Sequence, residues 1–160
     1  MTSNSETYDV VVVGGGPAGA TAANDLAKDG RKVVLLARAG RIKPCGGAIP
    51  PRAIRDFAIP DHMLVAKITS ARMISPSDHR VDMPIDGGFV GMVDRAEFDE
   101  WLRQRAADNG AERRTGVYKR IQHQDDGTSL VFYEERGANG ATVEQSIRTR
   151  AVIGADGALS

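Results

Sequence analysis

Apolar residues along the chain follow three kinds of pattern, and each predicts a different element. Val10-Val11-Val12-Val13 is a β-branched run with no polar alternation, as expected of a strand buried on both faces of a parallel sheet. It predicts a first strand over 8–13. The alanine-rich stretch 17–28 begins on Pro17 and stops before Gly30, predicting a helix whose first turn tolerates the missing proline N–H. A second apolar run over 32–37 completes a βαβ unit, with its crossover right-handed.

Further on the runs shorten. A helical turn is expected over 52–57 and strands over 67–74 and 80–85, split by Ser75-Pro76-Ser77-Asp78. Asp86-Gly87-Gly88 is a turn before a short strand over 89–93. Asp94-x-x-Glu97 has the form of a capping box. It opens a helix over 95–109, with Phe98, Leu102 and Ala106 on one face and Trp101 on the flank, read as core. From Gly116 a β-meander is expected over 117–123, 129–134 and 142–148, turning at Asp125-Asp126-Gly127 and Asn139-Gly140. A separate apolar strand from Arg150 runs into a second glycine turn, Gly154-Ala155-Asp156-Gly157.

The junction of the first strand and helix carries the candidate chemistry. Gly14-x-Gly16-Pro17-Ala18-Gly19 lies after a strand and before a helix, the context a dinucleotide-binding turn requires. Gly14 permits the tight turn, Gly16 admits a pyrophosphate close to the backbone, and Gly19 lets helix and strand pack closely. The helix start offers N–H groups and the positive dipole end to phosphates.

The second strand closes on Ala37, where such folds usually place Asp or Glu for the adenosine ribose hydroxyls. Alanine cannot accept those bonds, a loss of about 1.5–3 kcal/mol or roughly one to two orders of magnitude in affinity. A nearby group or water takes over, or Arg38 receives a 2′-phosphate instead. Cys45, Gly46 and Gly47 follow in a proline-bounded segment read as a constrained loop, neither helix nor strand. Its glycines let a planar ring lie against the backbone. Spacing leaves Cys45 open between that use and a small buried hydrophobe.

Composition removes several classes. The 160 residues carry no net charge, so there is no electrostatic footprint for nucleic acid. A single cysteine excludes an internal disulfide framework and points to a reducing, cytoplasmic compartment. No run is long enough for a membrane span, and the polar first residues lack the form of a signal peptide. His62, His79 and His123 have no metal-ligand spacing.

Three segments in order resemble the FAD-dependent oxidoreductases of the para-hydroxybenzoate hydroxylase type: the glycine turn, Arg95-x-x-Phe98-Asp99-x-x-Leu102, and Gly154-Ala155-Asp156-Gly157. Within that superfamily, Lys43-Pro44-Cys45-Gly46-Gly47-Ala48-Ile49-Pro50, Met73-Ile74-Ser75-Pro76-Ser77 and Gly91-Met92-Val93 resemble the geranylgeranyl reductases of chlorophyll and bacteriochlorophyll synthesis. The resemblance implies an α/β fold: a Rossmann-like FAD-binding βαβ domain over 1–160, with inserted antiparallel strands and a β-meander. It also implies the N-terminal part of a longer enzyme, without the family's C-terminal substrate region.

FAD and NADPH are the implied cofactors, with an isoprenoid substrate, geranylgeranyl diphosphate or a geranylgeranylated pigment. Peripheral contact with a photosynthetic membrane follows from such a substrate. Gly14, Gly16, Pro17, Ala18, Gly19, Ala37, Arg38, Cys45, Gly46, Gly47, Arg95, Asp156 and Gly157 inherit a cofactor-site reading. Cys45 is also the candidate to donate a proton or tune the flavin. Flavin monooxygenases share the first and last motifs, and a catalytically inert nucleotide-binding module is the other alternative.

Overall fold

The computed structural model describes residues 6–40, 45–137 and 140–157. Among them the chain runs β1 (Thr7–Val13), α1 (Pro17–Lys28), β2 (Val33–Ala37), β3 (Ala48–Ile49), α2 (Pro51–Asp56) and a 3-10 turn (Asp61–Met63). It continues with β4 (Ala66–Ile68), β5 (Ser70–Ile74), β6 (Arg80–Pro84), β7 (Val90–Met92), α3 (Arg95–Asp108), β8 (Glu112–Thr115), β9 (Val117–His123), β10 (Ser129–Arg136) and β11 (Thr142–Gly154). Two compact units divide it: the chain up to Arg41 and from Asp99 onward, and Ile42–Phe98. Lys43, Pro44 and Asn139 of the expected motifs lie outside the described residues.

The first unit is an α/β structure on a six-stranded sheet, β8-β2-β1-β11-β10-β9. β8, β2, β1 and β11 run parallel, while β10 pairs antiparallel with both β11 and the edge strand β9. The valine run fills both faces of β1, because successive residues point to opposite sides. Val11 and Val13 join Tyr8, Val34, Leu36, Val131, Tyr133 and Ile147 in one buried cluster. Val10 and Val12 are buried as well, and α1 packs on β1 and β2. The helix has small residues on that side, Gly19, Ala20, Ala23 and Ala27, all buried.

Two expectations fail in this unit. The meander's third strand and the final apolar strand are one 13-residue strand, β11. Its first part pairs with β10 and its last part with β1. Arg148 and Thr149 pair on both sides, with Leu130 and Ser129 of β10 and with Thr7 and Tyr8 of β1. The change of pattern near Arg150 marks a change of partner, not a break in the chain. The apolar pattern also gives no sign of β8, Glu-Arg-Arg-Thr, a polar edge strand held by its ladder to β2.

The second unit has a three-stranded antiparallel sheet, β3-β7-β4, and the β5–β6 hairpin. The strand expected over 67–74 is two, parted at Thr69, whose carbonyl accepts the Ile85 N–H at 2.9 Å. Part of the Cys45–Pro51 loop is also strand: Ala48–Ile49 pairs with Gly91 and Met92. At the start of α3 the Asp94 carboxylate accepts the Ala96 N–H at 2.7 Å, which caps the helix. No helix among the described residues is long and apolar enough to cross a membrane.

Candidate functional site

The turn after β1 is shaped by steric exclusion at three glycines and open space at a fourth. Gly14 has φ +115°, and a Cβ there would meet the Ala155 carbonyl group, with the Asp156 nitrogen 2.6 Å away. A Cβ on Gly19 would land on the Gly14 carbonyl oxygen. A Cβ on Gly15 would stand 2.5 Å from Ala37 Cβ and 3.1 Å from Arg103 Cδ. Nothing lies within 4 Å of the Cβ position of Gly16. Close backbone approach by an outside group is therefore available at Gly16. There α1 begins, with Pro17 in its first turn, Ala18 exposed and Gly19 buried.

Backbone bonds hold this turn to both neighbouring strands. The Gly14 N–H donates to the Leu36 carbonyl at 2.8 Å, and the Ala155 N–H donates to the Val13 carbonyl at 2.7 Å. The second glycine turn, with exposed Asp156 and with Gly157 at φ +92°, is thus brought against the first. Motifs from opposite ends of the chain form one edge, at the C-terminal ends of the parallel strands, where ligands bind in open α/β sheets.

Beside it, at the end of β2, is a cavity of about 110 Å³ bounded by Ala37, Arg38, Glu100, Arg103, Arg113 and Arg114, among others. Arg103 Nη1 donates to the Gly15 carbonyl at 2.8 Å and Arg103 Nε to Glu100 at 3.0 Å. Arg113 on β8 donates to both Glu100 oxygens, at 2.8 and 3.1 Å. Burial alone would raise the Glu100 carboxyl, but the bonds from Arg113 and Arg103 hold it below the ordinary carboxylate range. Next to this group Tyr8 donates to Glu112, which accepts from Arg114 at 2.7 Å. Burial, then the Glu112 bond, push the Tyr8 phenol above its usual value.

Glu100, Arg103 and Arg113 therefore adjoin the glycine turn through Gly15, and nothing in the sequence singles these four residues out. Only the glycine run hinted at Gly15. The others are charged residues on a helix face and a polar strand, with nothing local to set them apart.

The remaining sequence-derived residues belong to the second unit. Cys45 is exposed, which removes the buried-hydrophobe reading. Gly46 faces open space, whereas Gly47, at φ +69°, is pinned against Val93, whose N–H donates to the Gly47 carbonyl at 3.0 Å. Arg95 is the first residue of α3 and is half-buried. Among the described residues no group of three or more His, Cys, Asp and Glu could hold a metal ion.

Residues 8–158 match the family model described as pyridine nucleotide-disulphide oxidoreductase. A geranylgeranyl diphosphate reductase of Rhodobacter capsulatus is 63% identical over 153 residues, covering 96% of this chain and 38% of the relative. The chloroplastic geranylgeranyl diphosphate reductase of Arabidopsis thaliana is 39% identical, covering 94% of this chain and 34% of the relative. The chain thus spans little more than a third of the length of these relatives. A solved geranylgeranyl bacteriochlorophyll reductase-like protein from Thermoplasma acidophilum superposes with a TM-score of 0.77 at 27% identity, covering 95% of this chain and 40% of that one.

Proposed function

The chain belongs to the pyridine nucleotide-disulphide oxidoreductase family, and from that premise we propose that it is the FAD-binding part of an NADPH-linked reductase. The reductase saturates isolated C=C bonds of a geranylgeranyl chain, carried as the diphosphate or on a pigment. The observation that carries this reading is the paired edge at the parallel strand ends, where Gly14 is closed against Ala155 while Gly16 stands open. A flavin dinucleotide fits that shape: a pyrophosphate needs bare backbone at one point and rigid support around it. The 63% identity to a geranylgeranyl diphosphate reductase supports the substrate class.

Gly16 and the first turn of α1, Pro17 to Gly19, would hold the pyrophosphate, and Asp156 and Gly157 the sugar-alcohol end of the cofactor. Ala37 and Arg38 would border its adenosine. By the resemblance, Cys45, Gly46, Gly47 and Arg95 would be the residues toward the flavin ring; within the second unit itself, Cys45 offers an exposed thiol and Gly46 an open backbone. When bound, FAD would supply the redox chemistry of the reduction, with NADPH as the source of the hydride. The protein's part is orientation and proton supply. An isolated alkene accepts hydride poorly, so a proton must reach its other carbon as the hydride arrives, and the exposed Cys45 thiol is the candidate donor in this chain.

The test has two steps. The chain incubated with FAD and desalted retains a bound-flavin absorption spectrum; a colourless, folded product overturns the flavin reading. A longer protein containing this chain, given NADPH without oxygen, converts geranylgeranyl diphosphate or geranylgeranylated pigment to products two mass units heavier per bond reduced. Cys45→Ala in that protein slows alkene reduction more than NADPH consumption by the flavin; equal rates in variant and parent remove Cys45 from the mechanism.

A further inference from the structure

β2 ends without the acceptor that a dinucleotide's adenosine ribose ordinarily meets, yet the cavity beside Ala37 contains a carboxylate from elsewhere in the fold. We infer that Glu100, reaching in from α3, accepts a hydrogen bond from the adenosine ribose hydroxyls in place of the missing acid at position 37. The inference rests on the flavin reading and assigns the end of that site which the glycine turn leaves unexplained.

Placement is the first support. Ala37, Arg38 and Glu100 bound the same cavity, and that cavity adjoins Gly15 through Arg103. Position is the second. Arg103 and Arg113 fix the Glu100 carboxylate from two elements, α3 itself and β8. Capacity is the third. An ionised carboxylate accepts about four hydrogen bonds. Here Oε2 takes one bond each from Arg103 and Arg113, and Oε1 takes one from Arg113. A lone pair on Oε1 is left for a ribose hydroxyl.

The four arginines around the cavity raise a rival ligand, a 2′-phosphate. Three of them are already committed: Arg103 to Glu100 and Gly15, Arg113 to Glu100 and Gln104, and Arg114 to Glu112 and Tyr8. A phosphate in this cavity would also face the Glu100 carboxylate, like charge against like. The arrangement favours a neutral diol over a phosphate.

The experiment measures binding to the chain by calorimetry, with ADP-ribose, its 2′,3′-dideoxyadenosine analogue and its adenosine 2′-phosphate as probes. The parent is expected to prefer ADP-ribose to the dideoxy probe by about 10-fold, one charge-assisted hydrogen bond. In Glu100→Gln that preference falls to about threefold or less, since a neutral amide oxygen is a weaker acceptor. Ala37→Glu placed on Glu100→Gln restores it, because the acid returns to the end of β2. Loss of fold alone would weaken all probes together and leave the preference unchanged. Three results overturn the inference: unchanged discrimination in a Glu100→Gln protein that still binds ADP-ribose as the parent does, no rescue by Ala37→Glu, or tightest binding of the 2′-phosphate. If the parent binds none of the probes and retains no FAD, the dinucleotide reading itself fails, and this assignment with it.

Discussion

The two units use strands in opposite ways. In the first, β1 and β2 are almost wholly buried: Val11, Val12 and Val34 have no exposed surface and Leu35 and Leu36 have 1% each. In the second, β4, β5 and β6 are exposed along their whole length, with Met73, Ile74 and Val81 near 60%. The backbone ladder holds the β5–β6 hairpin, and the two-pronged Arg72–Asp82 pair at 2.6 and 2.9 Å spans it in water. Regular pairing and burial are separate properties. Apolar patterning marks where strands form, but a strand draws stability from its side chains only where another layer covers them.

The sharpest break in this contrast is a pair of truncations. Leu35→Ala in the first unit is expected to cost about 2–5 kcal/mol, since it opens a cavity at a fully buried position. Val81→Ala in the second should stay within about 0.5 kcal/mol, as an exposed side chain loses little. Chemical denaturation of both variants measures the difference; equal costs would show that Val81 is covered in solution.

Glycine substitutions come next. Gly14→Ala forces a side chain onto the Ala155 carbonyl at a positive φ, with an expected cost of about 1–3 kcal/mol and loss of nucleotide binding. Gly47→Ala meets the Val93 carbonyl in the same way. It should loosen β3 and β7 while leaving β1 protected in hydrogen exchange. Exposure of β1 amides in Gly47→Ala would mean that the units unfold together.

Smaller effects follow from titration. The Tyr8 phenol is raised by burial and then by Glu112, so its contribution is complete below about pH 10 and is lost as pH rises through the folded value. Tyr8→Phe should cost about 1 kcal/mol at neutral pH and flatten the alkaline limb of a stability–pH curve. An unchanged limb would assign that loss to another group. Asp82, lowered by its Arg72 bond, has the opposite sign: what it contributes is present above the ordinary carboxylate range and fades as pH falls through the folded value. Asp82→Asn is expected to leave the unfolding midpoint unmoved in 0.5 M salt, because both partners are in water. A shift that survives salt would show the pair to be shielded.

The sequence was most informative where a local rule had a single solution. α1 begins at Pro17 and ends before Gly30 because one residue tolerates a missing N–H and the other reverses the backbone. The valine run and the glycine turn were legible for the same reason. β8 was not, because an edge strand of Glu, Arg, Arg and Thr is specified by the open ladder of β2 and not by its own side chains. The joined length of β11 was hidden by a pattern that changes with the neighbouring strand. In the candidate site, Gly14 and Gly16 announce themselves, whereas the Arg103–Gly15 bond joins residues 88 positions apart.

β11 also bears on the order of folding. Its first part needs only the turn after β10 to find its ladder, a closure that takes microseconds in isolated hairpins. Its last part must find β1 across nearly the whole chain, with Gly154 beside Val13, and pairings so distant in sequence are the slow ones. Since Arg148 and Thr149 belong to both ladders, the hairpin that forms first already fixes the register in which the late pairing closes. In pulsed hydrogen exchange, β10 and the start of β11 should gain protection together, before β1. The edge formed by Gly14 and Ala155 would then be among the last parts of the molecule to exist.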